Sequence, residues 1–356
     1  MSLKYTKMKI FHFPEKMASL PIETGVIEPP LYIRIKPTNV CNHNCRYCAY
    51  RIDSLQVGRD MRRNSFIPEA KMMEIVDDII GMNVRAVTFT GGGDPFHYPH
   101  LAGAVKRLAD SPVKFAALTN GSSLEGELAH LFAAHAEWLR VSIDGWDDAS
   151  YSSYRGVAKG EFSKVMANMK NFRKLGGKCY LGVSLIVDQA NSSHVYDFIR
   201  TVRDIGVNSI KISPCILFND SNANNSYHAP FYESVKAQVA KAKQDTECRD
   251  FEIFDAYHKL EDRFQKNYHW CPYIQILPVI GADLNVYCCQ DKAYNIEEGS
   301  LGSIAEMRFS ELWFSDKNRF FGIDPSIACR HHCLANEKNG LILEYLNADR
   351  DHLEFV

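Results

Sequence analysis

Residues 31–48 read Leu31-Tyr-Ile-Arg-Ile-Lys36-Pro-Thr-Asn-Val-Cys41-Asn-His-Asn-Cys45-Arg-Tyr-Cys48. The first six alternate apolar and polar side chains, the period of a strand. A loop follows at once, carrying three cysteines in a C-x3-C-x2-C pattern. Three thiols within eight residues, on a loop leaving a strand end, suit a soft metal.

Outward from this stretch the chain alternates regularly. After Leu31–Lys36, strands are expected at Arg85–Thr90, Val113–Leu118, Glu137–Ile143, Cys179–Val187 and Asn208–Ser213. Helices are expected between them, at 68–82, His100–Asp110, Leu124–Ala134, Glu161–Leu175 and Ser193–Ile205. Phe162, Val165, Met166, Met169 and Phe172 share one helical face, and Gly176-Gly177 supplies the stop. Strands separated by helices imply a parallel sheet with right-handed crossovers. Six units are too few for an eight-unit barrel. The fold expected is therefore α/β, a partial (β/α)6 barrel with a small cysteine-rich C-terminal domain. The boundaries read are 1–30 for an N-terminal extension, 31–225 for the barrel, 226–268 for a helical connection and 269–356 for the C-terminal domain. Asn219–Ser226 reads as a polar loop and 229–246 as a helix. Functional residues should lie in the loops after the strand C-termini.

The 356 residues are 46% hydrophobic and 24% charged, with a formal charge of −2. These values exclude a disordered chain and a bulk basic surface for nucleic acid. No apolar run approaches the ~20 residues of a membrane helix, and the N-terminus has no apolar signal core. A cytoplasmic protein without nucleic-acid or membrane partners is expected. Eleven cysteines, an odd number, argue against a secreted disulfide framework.

A structural zinc site would need a fourth protein ligand beside Cys41, Cys45 and Cys48. His43 inside the run could serve only awkwardly. Three thiolates instead leave one iron of a [4Fe–4S] cluster open. The cysteine run, Tyr47 before its last cysteine, and Thr90-Gly91-Gly92-Gly93-Asp94-Pro95 after the second strand resemble the radical S-adenosylmethionine enzymes. The resemblance covers about 31–213. It implies that S-adenosylmethionine occupies the open iron, near Gly91, Gly92 and Gly93. Asp94, where Glu is more usual, would accept from the cofactor amine. Ser142 resembles the residue at the ribose or carboxylate region, and could equally be a plain strand-end hydroxyl. Arg155 resembles the arginine pairing with the cofactor carboxylate, or is a solvated surface charge. Tyr47, Ile212 and Ser213 would border the adenine. Asn120 either orients ligand or makes a turn.

Cys271, Cys288-Cys289, Cys329 and Cys333 form a second group. With Gly299–Ile304 and Glu311-Leu-Trp313 they resemble the SPASM auxiliary-cluster domain in its shortened twitch form. This implies one further [4Fe–4S] cluster on Cys271, Cys289, Cys329 and Cys333, with Cys288 as the alternative to Cys289. A zinc knuckle using His331 or His332 is the competing reading. Cys179 reads as a buried hydrophobe. Cys215 and Cys248 are candidate hydrogen donors.

The resemblance implies reductive cleavage of S-adenosylmethionine and removal of a hydrogen atom from substrate, with a flavodoxin- or ferredoxin-type electron donor. Residues 1–30 are too few for a leader-peptide domain, which favours a small polar metabolite. The expected reaction is two-electron dehydrogenation of a sugar- or alcohol-like compound. Alternatives are a carbohydrate or aminoglycoside epimerase, a ribosomal-peptide maturase, and a zinc-organised binding protein.

Overall fold

The computed structural model describes residues 4, 6–52, 55, 57–260 and 264–354. Seven parallel strands run in chain order: β1 (Tyr32–Ile35), β2 (Ala86–Phe89), β3 (Lys114–Thr119), β4 (Trp138–Ser142), β5 (Tyr180–Val187), β6 (Ser209–Pro214) and β7 (Glu252–Asp255). Helices Glu69–Gly81, Leu101–Ala109, Gly126–His135, Glu161–Lys174 and Val195–Ile205 form the crossovers, as the sequence predicts. An eighth strand, β8 (Val279–Ile280), joins the free side of β1 in parallel. β9 (Asn285–Tyr287) and β10 (Ser300–Ser303) follow it as antiparallel strands. The cysteine-rich region thus continues the barrel's own sheet, and all ten strands form one order, β10-β9-β8-β1-β2-β3-β4-β5-β6-β7.

Three elements depart from the sequence expectation. β7 lies inside the segment read as a helical connection, after the helix Tyr232–Thr246; residues 261–263 of that segment lie outside the described residues. Residues 221–228 are helical, although 221–226 read as part of a polar loop. Asp220 caps this helix by accepting from Ala223 N at 2.6 Å, and the fully buried Asn224 side chain donates to Phe218 O and Asp220 O. Tertiary anchoring supplies what an asparagine-rich sequence lacks in propensity. A further short helix, Asp148–Arg155, precedes the fourth crossover and carries a capping box on Asp147.

The register separates the two faces of the sheet. Ile33, Ile35, Val87, Phe89, Leu139, Val141, Leu181, Val183, Ile210 and Ile212 face the helices and are almost wholly buried in one core. The residues between them are Tyr32, Arg34, Lys36, Thr88, Arg140, Ser142, Ser184, Lys211 and Ser213. A parallel sheet packed on both faces reads as continuous apolar strands. Here the concave face carries polar and charged side chains, so it is not packed as a second apolar core. No described helix is long and apolar enough to cross a membrane.

Candidate active site at the strand ends

Parallel pairing brings the C-terminal ends of β1–β6 to one edge. The loop after β1 carries Cys41, Cys45 and Cys48, all free thiols and partly buried. Their charges bear on one another in sequence, Cys45 on Cys41 and Cys48 on Cys45. Burial pushes the Cys41 thiol up to about 11 and raises Cys45. A bound metal reverses that by holding the thiolate. His43 turns away from the sulfurs, with Nε2 2.9 Å from Ser122 Oγ.

The loop is pinned from both sides. Asn44 N donates to Arg155 O at 2.7 Å and Arg46 N to Tyr154 O at 3.2 Å. Gly156, at φ 59°, lets this helix end approach; a Cβ there would lie 2.8 Å from Asn44 O. On the other side, Gly93 N donates to Thr38 O and Asp94 N to Val40 O. A Cβ on Gly93 would lie 2.0 Å from Val40 O, and one on Gly92 2.4 Å from Asn39 Oδ1. The glycines were expected to admit a cofactor. In the structure their closest neighbours are the backbone and side chains of the chain itself, mainly the cysteine loop.

Asp94 also differs from expectation. Its carboxylate accepts from Phe96 N at 2.9 Å, Asn120 N at 2.6 Å and Thr119 Oγ1 at 3.0 Å, tying the β2 loop to the end of β3. It is 4% exposed and engaged on both oxygens rather than presented to a cofactor amine. Ile212 is on the helix side of β6 and fully buried, so its side chain cannot border an adenine on the concave face. Ser213, one residue on, has the concave orientation, as does Ser142, which pairs in register with Ser184. Asn120 does reach the cysteine loop: Nδ2 donates to Asn42 Oδ1 at 2.8 Å and lies 4.0 Å from Cys41 Sγ.

Arg155 is 5% exposed, which removes the surface-charge reading. Its Nη1 lies 3.5 Å from Cys45 Sγ, Nη2 pairs with Asp144, and Nε is buried with no hydrogen-bond partner among the described residues. Asp144 also accepts from Tyr47 OH and from Ile186 N at 2.8 Å. Next to this hub, Arg46 pairs with Asp188 at 2.6 Å, and Tyr154 OH donates to the same carboxylate. Arg46, Tyr47, Asp188, Cys215 and Tyr227 line a cavity of about 620 Å³. Cys215 is buried there, its thiol raised to about 12 by desolvation. Cys248 is exposed and precedes the N-terminal end of β7, so it sits at the opposite edge from the cysteine loop and cannot serve there as a donor.

Sequence reading missed Lys36, the last concave residue after β1. It is fully buried, donates to Tyr50 OH and to Gly91 O at 3.3 Å, and lies 4.5 Å from the Tyr50 ring centre. Gln290 Nε2 donates to the same Tyr50 hydroxyl at 2.7 Å. One buried amine, its pKa lowered to about 7 by desolvation, therefore links the glycine loop, the cysteine loop and the segment after Cys289. Its strand alternation, which places a charge on the inward face, was the available signal.

The second cysteine group gathers around Cys289. Its charge bears on Cys271, Cys329 and Cys333 alike. Cys288 is 3% exposed in the main core with Val286, and its thiol donates to Cys289, holding Cys289 well below the usual thiol range. Asn339 Nδ2 donates to Cys271 Sγ at 3.1 Å. Asp291 and His331 offer donor atoms within 4.8 Å of Cys289 and of each other; His331 belongs to the zinc-knuckle reading, and Asp291 was not anticipated.

The donor chemistry fits iron–sulfur clusters at both places: grouped free thiols, and beside the first a buried guanidinium with an unspent donor. The Radical SAM superfamily model matches residues 35–202. A GTP 3',8-cyclase from Synechococcus elongatus is 28% identical over 175 residues, 49% of this chain and 51% of the relative. The dTDP-4-amino-4,6-dideoxy-D-glucose ammonia-lyase of Streptomyces venezuelae is 24% identical over 190 residues, 49% of this chain and 36% of that enzyme. The chain thus spans about half the length of the cyclases it matches, and less of the lyase. In fold it is similar to Streptococcus suis SuiB bound to S-adenosylmethionine, with TM-score 0.61 and 13% identity over 89% of this chain and 70% of that one. anSMEcpe with bound AdoMet gives 0.57 at 18% identity, covering 84% of each chain. The cysteine loop at the strand ends thus lies within residues 35–202, the part of this chain that matches the Radical SAM superfamily model.

Proposed function

We propose that the chain removes a hydrogen atom from a small polar substrate held on the concave face, and that the second cysteine group makes the outcome a two-electron oxidation. The observation that carries this is the pair of cysteine groups on one continuous sheet, bridged by Lys36, Tyr50 and Gln290. When bound, a [4Fe–4S] cluster with S-adenosylmethionine supplies a hydrogen-abstracting 5′-deoxyadenosyl group, and a second cluster supplies an electron acceptor. Cys41, Cys45 and Cys48 would hold the first, and Cys271, Cys289, Cys329 and Cys333 the second, in a SPASM/twitch-like arrangement. Arg155 Nε is the donor best placed for a cofactor carboxylate, since an arginine–carboxylate contact is strong and directional. Asp144 and Tyr47 keep that guanidinium oriented. A cytoplasmic setting and a flavodoxin- or ferredoxin-type donor belong to the same reading.

A redox-neutral outcome is the second reading. It is favoured by the relatives, which are named as a cyclase, an ammonia-lyase and a nucleotide dehydratase. Product analysis separates the two. A product two hydrogens lighter than substrate, formed in step with 5′-deoxyadenosine, supports oxidation; loss of water or ammonia, or an isomer, overturns it.

A further inference from the structure

A cavity of about 730 Å³ opens between the concave side of β6–β7 and the C-terminal region. That size suits a small molecule. Ser213 and Pro214, at the end of β6, form one wall; His332 and Leu334, flanking Cys333, form another. It therefore reaches the end of β6 and the residues on either side of Cys333.

Its lining is charged in one sense. Lys4, Lys7, Lys9, Lys211 and Lys338 face it, against two carboxylates, Asp255 and Glu337. Lys236, from outside the lining, pairs with Asp255, whereas Glu337 pairs with Lys7, itself one of the five, so the positive excess comes from the other four lysines. Three lysines lie against rings, Lys4 at 3.8 Å from the Tyr180 centre, Lys338 at 5.2 Å from Tyr273 and Lys211 at 5.9 Å from Phe254. The whole chain has a formal charge of −2, so this positive lining is local. A concave wall of one sign concentrates counter-charged small molecules.

We propose that this cavity binds a substrate bearing phosphate. The proposal rests on the hydrogen-abstraction reading above and adds the class of molecule. Lysine ammoniums act as point charges, and a phosphate group brings about two negative charges to them where a carboxylate brings one. All five cations here are lysines. The same lining repels a polycation, which argues against an aminoglycoside substrate.

The test uses the full chain after anaerobic cluster reconstitution, with binding followed by calorimetry. The probes are inorganic tripolyphosphate, tricarballylate as a tricarboxylate, kanamycin as a polycation, and an acidic hexapeptide. Tripolyphosphate should bind, weaken steeply with salt, and outbind tricarballylate by about tenfold or more. Lys9→Gln and Lys211→Gln should each weaken it by about tenfold, while Lys211→Arg retains most of the binding. Lys9 is exposed, so its variant is not expected to disturb folding; a melting curve checks both. Equal binding by the two glutamine variants, preference for tricarballylate, or tighter binding of kanamycin or the peptide would each overturn the proposal. Wild-type iron content and substrate-free release of 5′-deoxyadenosine test the earlier reading separately. If both are intact and tripolyphosphate does not bind, only the phosphate assignment falls.

Discussion

Replacing Asp144 by Ala should unseat the Arg155 side of the site. Both side chains of the pair are buried, 6% and 1% exposed for Arg155 and Asp144. Removing one member of a buried pair leaves the other charge uncompensated and typically costs about 3–5 kcal/mol. The change also deprives Tyr47 OH and Ile186 N of their acceptor. These losses share one carboxylate and do not add, so about 4 kcal/mol is expected. At ~2–4 °C per kcal/mol the melting midpoint should fall by roughly 10 °C. Asp144→Asn retains an acceptor for Ile186 N and should fall less. The assay is a thermal scan of matched reconstituted proteins, paired with 5′-deoxyadenosine release under a chemical reductant. Release should drop in both variants, because the guanidinium beside Cys45 loses its orientation. A midpoint for the alanine variant within about 2 °C of wild type would refute the energetic reasoning. Unchanged release would refute the positioning role.

Lys36→Met removes the amine shared by Gly91 and Tyr50 while keeping an unbranched side chain only one atom shorter. Release of 5′-deoxyadenosine should slow by about tenfold, or ~1.4 kcal/mol, and an unchanged rate would mean that the bridge is dispensable. Gly93→Ala forces a Cβ against Val40 O and should destabilise by about 1–3 kcal/mol with loss of iron from the first group. Gly103→Ala meets nothing within 4 Å inside the helix Leu101–Ala109. It should stabilise by about 0.5–1 kcal/mol, and iron analysis with melting curves checks both glycine variants. Cys289→Ala should lower iron by about half, whereas Cys288→Ala should leave it near wild type; the reverse pattern would exchange their roles.

The barrel was legible because each of its first six strands is an alternating or apolar run bounded by turn residues and followed by an amphipathic helix. β7 was not, since Glu252–Asp255 is four residues with acidic ends. Nor was β8, two residues whose place beside β1 is decided by pairing at a sequence distance of some 245 residues. The cysteine groups were visible as spacing. Their surroundings were not, because partners such as Asp144 and Tyr47 are 97 residues apart. Asp94 and Ile212 mark the limit of carrying a motif position onto a side chain. Asp94 is one carbon shorter than Glu, and three neighbouring donors hold it inside the loop. Ile212 lies one residue out of phase with the concave face.

The central claim is that Cys41, Cys45 and Cys48 hold a radical-generating cluster distinct from whatever the second group binds. The direct measurement is iron content and 5′-deoxyadenosine release in anaerobically reconstituted wild type and a Cys41→Ala/Cys45→Ala/Cys48→Ala variant. The account predicts about eight irons per chain falling to about four, with all release lost and the far-UV spectrum preserved. Full iron in the variant, or release at the wild-type rate, would contradict it.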